Sequence, residues 1–376
     1  MLVLPAFLLL PGEARAEGVS GRIGFDLAVG VDSNPYLRPA DGRTAAFTEM
    51  ELAAGLGADL GLRGRWFLDA SGRTRIHEDS ASHADRSEAR IRFGLTVAPS
   101  PVLDRRLLLT FGGERSGTRG TFVDRSSGEI WTTPLRRNRD TDERGSIAIP
   151  DRFDADTHGL FAEARYRAGG RLTVQGSVRW DRVDYVEDYP STAGIVRLDH
   201  RRFRVEPGLT YRLSGNAALD FAVTYTDLEL REGSAGDNDR RDRYSRVRLS
   251  ARLAPATGWN LGVGVSSGGR DDIAGVDRDF DTRTAFVSVK RNFGSRSWLN
   301  LVASLGTRSD DRPALADLPN GELTSGDVRR IAARFDIDVG RSTGLFAEGG
   351  LRTSDSHDSM LAYRNSWVVA GLHFGN

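Results

Sequence analysis

Arginines spaced two residues apart recur along the sequence and give the chain a candidate chemistry. The groups are Arg73 and Arg75, Arg90 and Arg92, Arg165 and Arg167, and Arg246, Arg248 and Arg252. In an extended chain, residues two apart point to the same side, so each group would form one cationic surface. Guanidinium groups bind carboxylates and phosphates through charge-assisted hydrogen bonds. The spacing therefore indicates anion-binding chemistry, provided that these segments are strands.

The remaining composition argues against catalytic, metal-binding and nucleic-acid-binding chemistry. The chain has no Cys, which excludes thiolate catalysis and Cys-based zinc sites. Its six His residues show no metal-ligand spacing such as H-E-x-x-H. Lys and Arg number 52, and so do Asp and Glu, so no global charge attracts the chain to nucleic acid. We therefore predict no enzyme activity, no metal or other cofactor and no nucleic-acid partner.

The segment 49–77 contains two of these arginines and shows how the chain positions them. Apolar and polar side chains alternate on both sides of the turn Arg63-Gly64-Arg65. Before the turn, Met50, Leu52 and Leu56 fall on one face of the strand and Glu49 and Glu51 on the other. A period of two is the signal of a β-strand. Both halves exceed the usual length of about 5–6 residues in a soluble sheet. They reach the roughly 9–11 residues that a tilted transmembrane strand needs, which predicts a transmembrane β-barrel.

The same pattern continues to the end of the chain and predicts one antiparallel barrel of about 16 strands. Long polar connections alternate with short Gly, Ser and Pro turns, as expected for extracellular loops and periplasmic turns. An 18-stranded barrel is the alternative if residues 117–157 contain a further hairpin. Pro207 lies inside a predicted strand, so we expect a bulge there. Two aromatic belts are predicted: Trp66, Tyr166, Tyr211, Trp259, Phe293 and Trp298 near the short turns, and Trp180, Tyr225 and Tyr244 near the opposite ends.

The domain prediction divides the chain into a signal peptide and a barrel. Residues 1–16 have an apolar segment, Leu2 to Leu10, before Ala14-Arg15-Ala16, which fits a signal-peptide cleavage site. Residues 17–376 form the barrel, and the long loop 117–157 is a candidate for folding into the lumen. After residue 10 no run of 18 apolar residues occurs, so helical membrane spans are excluded. The predicted location is the outer membrane of a Gram-negative cell.

The inner face of this barrel is predicted to line a water-filled path. About 16 strands leave a channel, whereas about eight would be filled by side chains. The alternation also puts Arg179, Arg212, Lys290 and Arg352 on this face, mixed with acids. For each arginine the alternative role is a cross-strand salt bridge that stiffens the wall. The predicted pore-lining and solute-binding residues are Arg73, Arg75, Arg90, Arg92, Arg165, Arg167, Arg204, Arg246, Arg248, Arg252, Arg330 and Arg334.

Two families share features with this sequence. The strand number, the loop order with a long third loop, and a last strand ending near Phe374 resemble 16-stranded general porins. In those proteins the third loop narrows the pore; here Gly375-Asn376 follow Phe374, where an aromatic residue is usually last. The sequence Asp32-Ser33-Asn34-Pro35 after the first strand also resembles β-barrel porins encoded with exopolysaccharide-secretion loci. The resemblance implies a solute porin or a polysaccharide exporter.

The leading hypothesis is a passive outer-membrane channel for anionic or sugar-rich solutes, either a diffusion porin or the conduit of an exported polysaccharide. One alternative is a surface-binding barrel with a blocked lumen. Another is an outer-membrane hydrolase that would use His158, His200 or His357 at the outer rim. Expected partners are outer-membrane lipid, lipopolysaccharide, the barrel-assembly machinery and periplasmic polysaccharide-export components, with a homo-oligomer as a further expectation.

Overall fold

The structure is a computed structural model, and it describes residues 19–33, 44–60, 63–78, 85–99, 106–119, 155–185, 189–191, 194–196, 199–230, 241–272, 280–310, 326–356 and 363–375. Within these ranges no helix is long and apolar enough to cross a membrane. The predicted signal peptide, and the part of the predicted long loop between residues 120 and 154, lie outside the described residues.

The described residues form β-strands joined by turns. The strands are β1 (Val19–Asp32), β2 (Ala45–Asp59), β3 (Gly64–His77), β4 (Arg86–Val97), β5 (Leu107–Arg119), β6 (Ala155–Ala168), β7 (Leu172–Tyr185), β8 (Tyr189–Ser191), β9 (Gly194–Val196), β10 (His200–Ser214), β11 (Ala217–Leu230), β12 (Arg241–Leu253), β13 (Trp259–Asp272), β14 (Phe280–Asn292), β15 (Ser297–Asp310), β16 (Gly326–Asp338), β17 (Thr343–Ser356) and β18 (Tyr363–Gly375).

Sixteen of these strands close into one antiparallel barrel, which confirms the predicted fold class. Each strand pairs with its neighbours along the chain, and β1 pairs with β18 to close the cylinder. At this seam Asp26 is in register with His373, and the carboxylate and imidazole are 2.5 Å apart. The two remaining strands, β8 and β9, form a small separate sheet in the connection between β7 and β10. The extra hairpin predicted within 117–157 falls on residues outside the described ranges.

The barrel strands are long, from 12 residues in β4 to 15 in β2. Their alternation places apolar side chains on an exposed outer surface, where Val29 is 61% exposed, Leu160 62% and Val368 66%. In water such a surface would be unstable, because apolar area favours burial. A lipid bilayer removes that penalty, so the sequence pattern and the closed barrel are consistent with each other only in a membrane.

The chain reverses through short turns at the end that carries Val19 and Gly375. Gly169, Gly258 and Gly294 adopt φ values of 80°, 78° and 76° in three of these turns. This left-handed region is open to glycine at little steric expense, which explains the glycines that the sequence puts there. The other end of the barrel carries the long connections, in agreement with the predicted arrangement of turns and loops.

On the inner wall, aromatic rings lie over glycines of the neighbouring strand. A Cβ built on Gly371 would stand 2.6 Å from the Phe346 ring, and one on Gly264 would stand 2.5 Å from the Phe286 ring. The absent side chain lets each ring lie close to the wall instead of projecting into the bore. The cross-strand pairs in register are Gly30 and Phe47, Gly94 and Phe67, Gly112 and Phe161, Gly264 and Phe286, Gly350 and Trp367, and Gly371 and Phe346.

The prediction of a bulge at Pro207 was wrong. The register between β10 and β7 continues through Pro207, which pairs with Gly176. On the β11 side the register is the same before and after Pro207, although the pairs at 206 and 207 are missing. Pro207 therefore interrupts the pairing between β10 and β11, but no extra residue is inserted into the strand as it would be in a β-bulge. The register shift occurs instead between Arg212 and Ser214, beside the turn.

Two of the predicted belt aromatics face the lumen instead of the lipid. Trp298 is in register with Asn292, and its ring lies 5.5 Å from the Lys290 ammonium on the inner face. Tyr244 lies under the Arg270 guanidinium, 5.8 Å away. Both residues lie at the depth along the barrel that was predicted for an aromatic belt. In the two-residue alternation of their strands, however, they occupy inward-facing positions. Tyr166, Tyr211, Trp259, Phe293, Trp180 and Tyr225 are exposed on the outer side as predicted.

Candidate functional site: the inner wall of the barrel

Register and alternation place all of the predicted pore-lining arginines on one face, the inner face of the barrel. Arg75 is in register with Glu49, and Arg92 with Asp69, on the side opposite the exposed apolar residues. The same relation holds for Arg73, Arg90, Arg165, Arg167, Arg204, Arg246, Arg248, Arg252, Arg330 and Arg334. Their binding of a solute remains a prediction, and their surroundings divide them into distinct groups.

The first group is neutralised by acids of β1 and β2. Glu49 accepts hydrogen bonds from Arg73 at 2.5 Å and from Arg75 at 2.7 Å. Asp32 lies 3.6 Å from Arg75, which is buried and stacks 4.0 Å from the Phe47 ring centroid. Because these charges are paired, they stiffen the wall and contribute little net potential to the lumen.

A second network joins β4, β5, β7 and β10 across the wall. Glu114 accepts hydrogen bonds from Arg90 and, at 2.8 Å, from Arg179. Arg179 also donates to Asp181 at 2.7 Å, and Arg202 donates to the other oxygen of Asp181 at 2.7 Å. Asp181 is fully buried, with 0% exposure. The network therefore serves the salt-bridge role that was the alternative for these arginines.

Gly159 makes this network possible. It is in register with Asp181 on β7, and Asp181 Oδ1 occupies the space that a Cβ at this position would need. Arg202 was missed as a candidate although its spacing of two from Arg204 carries the signal. Other predicted arginines also have acid partners, namely Arg92 with Glu163, Arg204 with Glu206, Arg252 with Asp220 and Arg334 with Asp336.

Besides Arg75, Arg92 and Arg334, which also have acid partners, two further predicted arginines lie over aromatic rings of the wall. The Arg248 guanidinium is 4.9 Å from the Phe286 ring centroid, and that of Arg330 is 5.8 Å from the Trp367 ring centroid. Such contacts keep a cation near the wall without cancelling its charge. The aromatic residues below them, which themselves lie over glycines, thus determine how far these arginines extend into the lumen.

A cavity of about 750 Å³ at the turn end of the lumen is lined by several cations. Arg165, Arg212, Arg252 and Lys290 line it, and Asp220 is the one acid among its described lining residues. Asp220 accepts two hydrogen bonds from Arg252, at 2.7 and 2.8 Å. In the described part of the chain, Arg165, Arg212 and Lys290 form no ion pair with a carboxylate. The cavity therefore carries a local positive charge.

The rest of the cavity lining is small or neutral and polar. Ala218, Gly262 and Ser288 face it with little side-chain volume, which leaves a recess in the wall. Amide and hydroxyl groups surround the recess, from Gln175, Asn260, Asn300, Thr173 and Thr210. Neutral amides and hydroxyls can exchange hydrogen bonds with a solute's hydroxyl groups. The combination can accommodate a hydrated anion or a hydroxylated solute.

The histidines considered for hydrolysis do not converge. His158 is exposed on the outer face of β6, and His200 is buried on the inner face of β10. His357 lies outside the described residues. Among those residues, no group of three or more His, Asp or Glu is placed to bind a metal ion.

A closed antiparallel cylinder with an exposed apolar outer surface and a charged inner wall is a transmembrane β-barrel of the bacterial outer membrane. Known structures share this architecture. Outer-membrane OmpT of Vibrio cholerae aligns with a TM-score of 0.53 at 8% identity, covering 97% of this chain and 100% of that one. The outer-membrane channel DcaP of Acinetobacter baumannii gives 0.53 at 11% identity, with 98% and 100% coverage.

An anion-selective porin from Comamonas acidovorans gives a TM-score of 0.51 at 12% identity, covering 95% of this chain and 99% of that one. At these identities the comparisons show that the chain has the fold of outer-membrane porins. No protein-family model matches the chain, and comparison with curated protein sequences finds no match.

Proposed function

We propose that the barrel is a diffusion channel that passes small hydrophilic solutes and favours anionic, hydroxyl-rich ones. The observation that carries this proposal is the cavity at the turn end of the lumen. Three cations that have no carboxylate partner among the described residues, Arg165, Arg212 and Lys290, meet there beside neutral amides. A fixed positive potential in a water-filled path raises the local concentration of anions. The proposal is supported by the fold that this chain shares with an anion-selective porin from Comamonas acidovorans.

The test is the reversal potential of the purified protein in a planar bilayer under a potassium chloride gradient. We expect the wild type to pass chloride in preference to potassium. The triple variant R165Q/R212Q/K290Q removes the three uncompensated charges and should lower the anion-to-cation permeability ratio several-fold. Clear cation preference of the wild type would refute the proposal.

A matched control distinguishes local charge from a change of cavity shape. The double variant R252Q/D220N removes one cation and one acid from the same cavity, so its net charge is unchanged. This variant should keep the selectivity of the wild type. If it loses as much selectivity as the triple variant, shape and not charge determines the preference. Absence of conductance in folded wild-type protein would instead support a surface-binding barrel with a blocked lumen.

Conduction of an exported anionic polysaccharide is a second candidate, and the same cavity favours it because its cations and amides suit a sugar acid. Block of the chloride current by an anionic polysaccharide tests this reading. A polymer that enters the lumen should reduce the current in the wild type and less so in the triple variant. A polymer that leaves the current unchanged would favour small solutes as the substrates.

A further inference from the structure

We infer that the turn end of the barrel carries a docking surface for the acidic face of a periplasmic protein. The strands are joined at this end by seven turns, which follow β2, β4, β6, β10, β12, β14 and β16. Five of these turns contain an arginine, namely Arg63, Arg106, Arg171, Arg296 and Arg341. Short turns face the periplasm in outer-membrane barrels, so these side chains are presented to periplasmic proteins.

The five turn arginines are exposed and uncompensated. Within the part of the chain that the structure describes, their side chains form no ion pair, no hydrogen bond and no contact with an aromatic ring, and no turn residue is an acid. The sequence of the connection after β4 also contains Asp104 and Arg105, one charge of each sign, and Glu17 precedes β1; all three lie outside the described residues. Each turn arginine therefore keeps its charge and its five N–H donors for a partner, and carboxylates bind such donors in bidentate pairs.

The charges next to the five turns do not cancel this surplus. Asp59 and Asp338 are the described acids directly beside a turn, and the alternation of their strands points both toward the lumen. Arg65 is in register with Asp59, and Arg167 and Arg291 add two more cations at the strand ends. Cations therefore outnumber acids at these turns even when the neighbouring described residues are included.

The arginines occupy one continuous sector of the rim. Along the barrel perimeter the turns after β14, β16, β2, β4 and β6 follow one another across the β18–β1 seam, and these are the five basic turns. The turns after β10 and β12 complete the circle and contain neutral residues, Gly215 and Asn216 in the first and Ala254 to Gly258 in the second. At about 4.8 Å between strands, the basic sector is about 48 Å long.

This asymmetry favours a protein as the occupant. Lipid of the inner leaflet surrounds the whole barrel and meets all of the turns alike, which gives no reason for a neutral sector. An anionic solute or polymer that enters the cavity needs cations on the rim beside it, but the two neutral turns border the cavity, with Gly215, Asn216 and Ala254 in its lining.

A folded partner, by contrast, docks on one side of the rim. A sector of about 48 Å is long enough for a standard interface of about 800 Å² per partner. A protein bound there would leave the side of the mouth next to the cavity open. The docking surface lies outside the channel path, so this inference does not rest on the proposed function.

The probe for this surface is a fluorescein-labelled peptide of about 12 glutamates, which spans about 40 Å when extended and reaches several turns. It is titrated at low salt into the purified barrel in phosphatidylcholine nanodiscs, and binding is followed by fluorescence anisotropy. The turn variant R63Q/R171Q/R296Q/R341Q should weaken binding roughly tenfold, because exposed ion pairs are individually weak but add up over four arginines. Wild-type binding should also fall steeply with added salt, as expected for complementary surface charges.

The triple variant of the cavity cations is the control, because it removes charge from the lumen and leaves the turns intact. It should bind the peptide like the wild type, whereas the turn variant should keep the chloride selectivity of the wild type. The two results separate this inference from the proposed function. The double variants R63Q/R171Q and R296Q/R341Q, with roughly threefold effects, repeat the test with fewer changes.

Equal peptide affinity of the wild type and the turn variant would overturn the inference, and so would an equal loss in the triple cavity variant. Native mass spectrometry tests lipid as the occupant: retention of phosphatidylglycerol over phosphatidylcholine that the turn variant abolishes would decide against a protein. A uronic-acid oligosaccharide of the same charge that binds the turn arginines more tightly than the peptide would decide for a polysaccharide, and would also overturn the inference.

Discussion

Replacing Asp181 by Asn tests whether the buried ion network holds the wall together. Asp181 is fully buried and accepts hydrogen bonds from Arg179 and Arg202. Asn keeps the shape of the side chain and removes its negative charge. Arg179 retains Glu114 at 2.8 Å, whereas Arg202, which is also buried, loses the charge of an acceptor to which it donates two hydrogen bonds.

The expected loss follows from the burial of both groups. Breaking a buried ion pair by removing one partner destabilises proteins by about 3–5 kcal/mol, because a buried charge loses a compensating charge. Asp220 provides the matched comparison, since it also accepts two hydrogen bonds from one arginine but in an exposed place. The Arg252 side chain is 64% exposed and that of Asp220 27%, so D220N should cost about 1 kcal/mol or less.

Reversible urea unfolding in lipid vesicles, followed by tryptophan fluorescence, measures both variants. The midpoint should shift for D181N with little change in the slope of free energy against urea. D181N within about 1 kcal/mol of the wild type would refute the argument, because the burial would then carry no energetic consequence. A D220N loss as large as that of D181N would refute it as well, since exposure would not distinguish the pairs.

The remaining predictions concern the wall packing and the membrane boundary. G112A should destabilise the barrel by about 1–3 kcal/mol or more, because its Cβ would stand 2.0 Å from the backbone carbonyl oxygen of Phe93 and 2.9 Å from the Phe161 ring. G176A, with nothing within 4 Å, should be neutral in the same urea assay, and equal effects would contradict the packing argument. I331K, at a mid-strand position that is 61% exposed, should cost about 2–4 kcal/mol, and I337K near the turn end about 1 kcal/mol or less. A larger loss for I337K than for I331K would mean that the centre of the bilayer lies nearer the turn end of the barrel.

The fold could be predicted from the sequence because the two-residue alternation of apolar and polar side chains determines it. Residues that alternate over a dozen positions, as between Glu49 and His77, leave only one face for lipid and one for water. Strand number and the alternation of long and short connections followed from the same reading. The belt assignment was wrong for Trp298 and Tyr244, because it followed aromatic type and depth, whereas the position of both residues within the alternation pointed to the lumen.

The partners of the inner-face arginines could not be predicted from the sequence. Alternation puts Arg179 and Glu114 on the same face, but their contact spans two strands and passes Gly159, which has no side chain to separate them. The distance depends on strand tilt and on the missing volume, and neither is a property of local sequence. For the same reason the sequence did not separate Arg165, which has no acid partner in the described ranges, from Arg90, which has one.

These pairings explain how a chain of zero net charge can hold a positively charged lumen segment. A permeating ion responds to charges within about one Debye length, about 8 Å at physiological salt, and not to the sum over the chain. Paired groups such as Glu49 with Arg73 and Arg75 act on it as short dipoles, whose field falls off faster than that of a single charge. Arg165, Arg212 and Lys290 act as single charges around one cavity. The proposed selectivity therefore depends on where carboxylates are lacking on the inner wall, and moving one acid to this cavity would weaken it without changing the barrel.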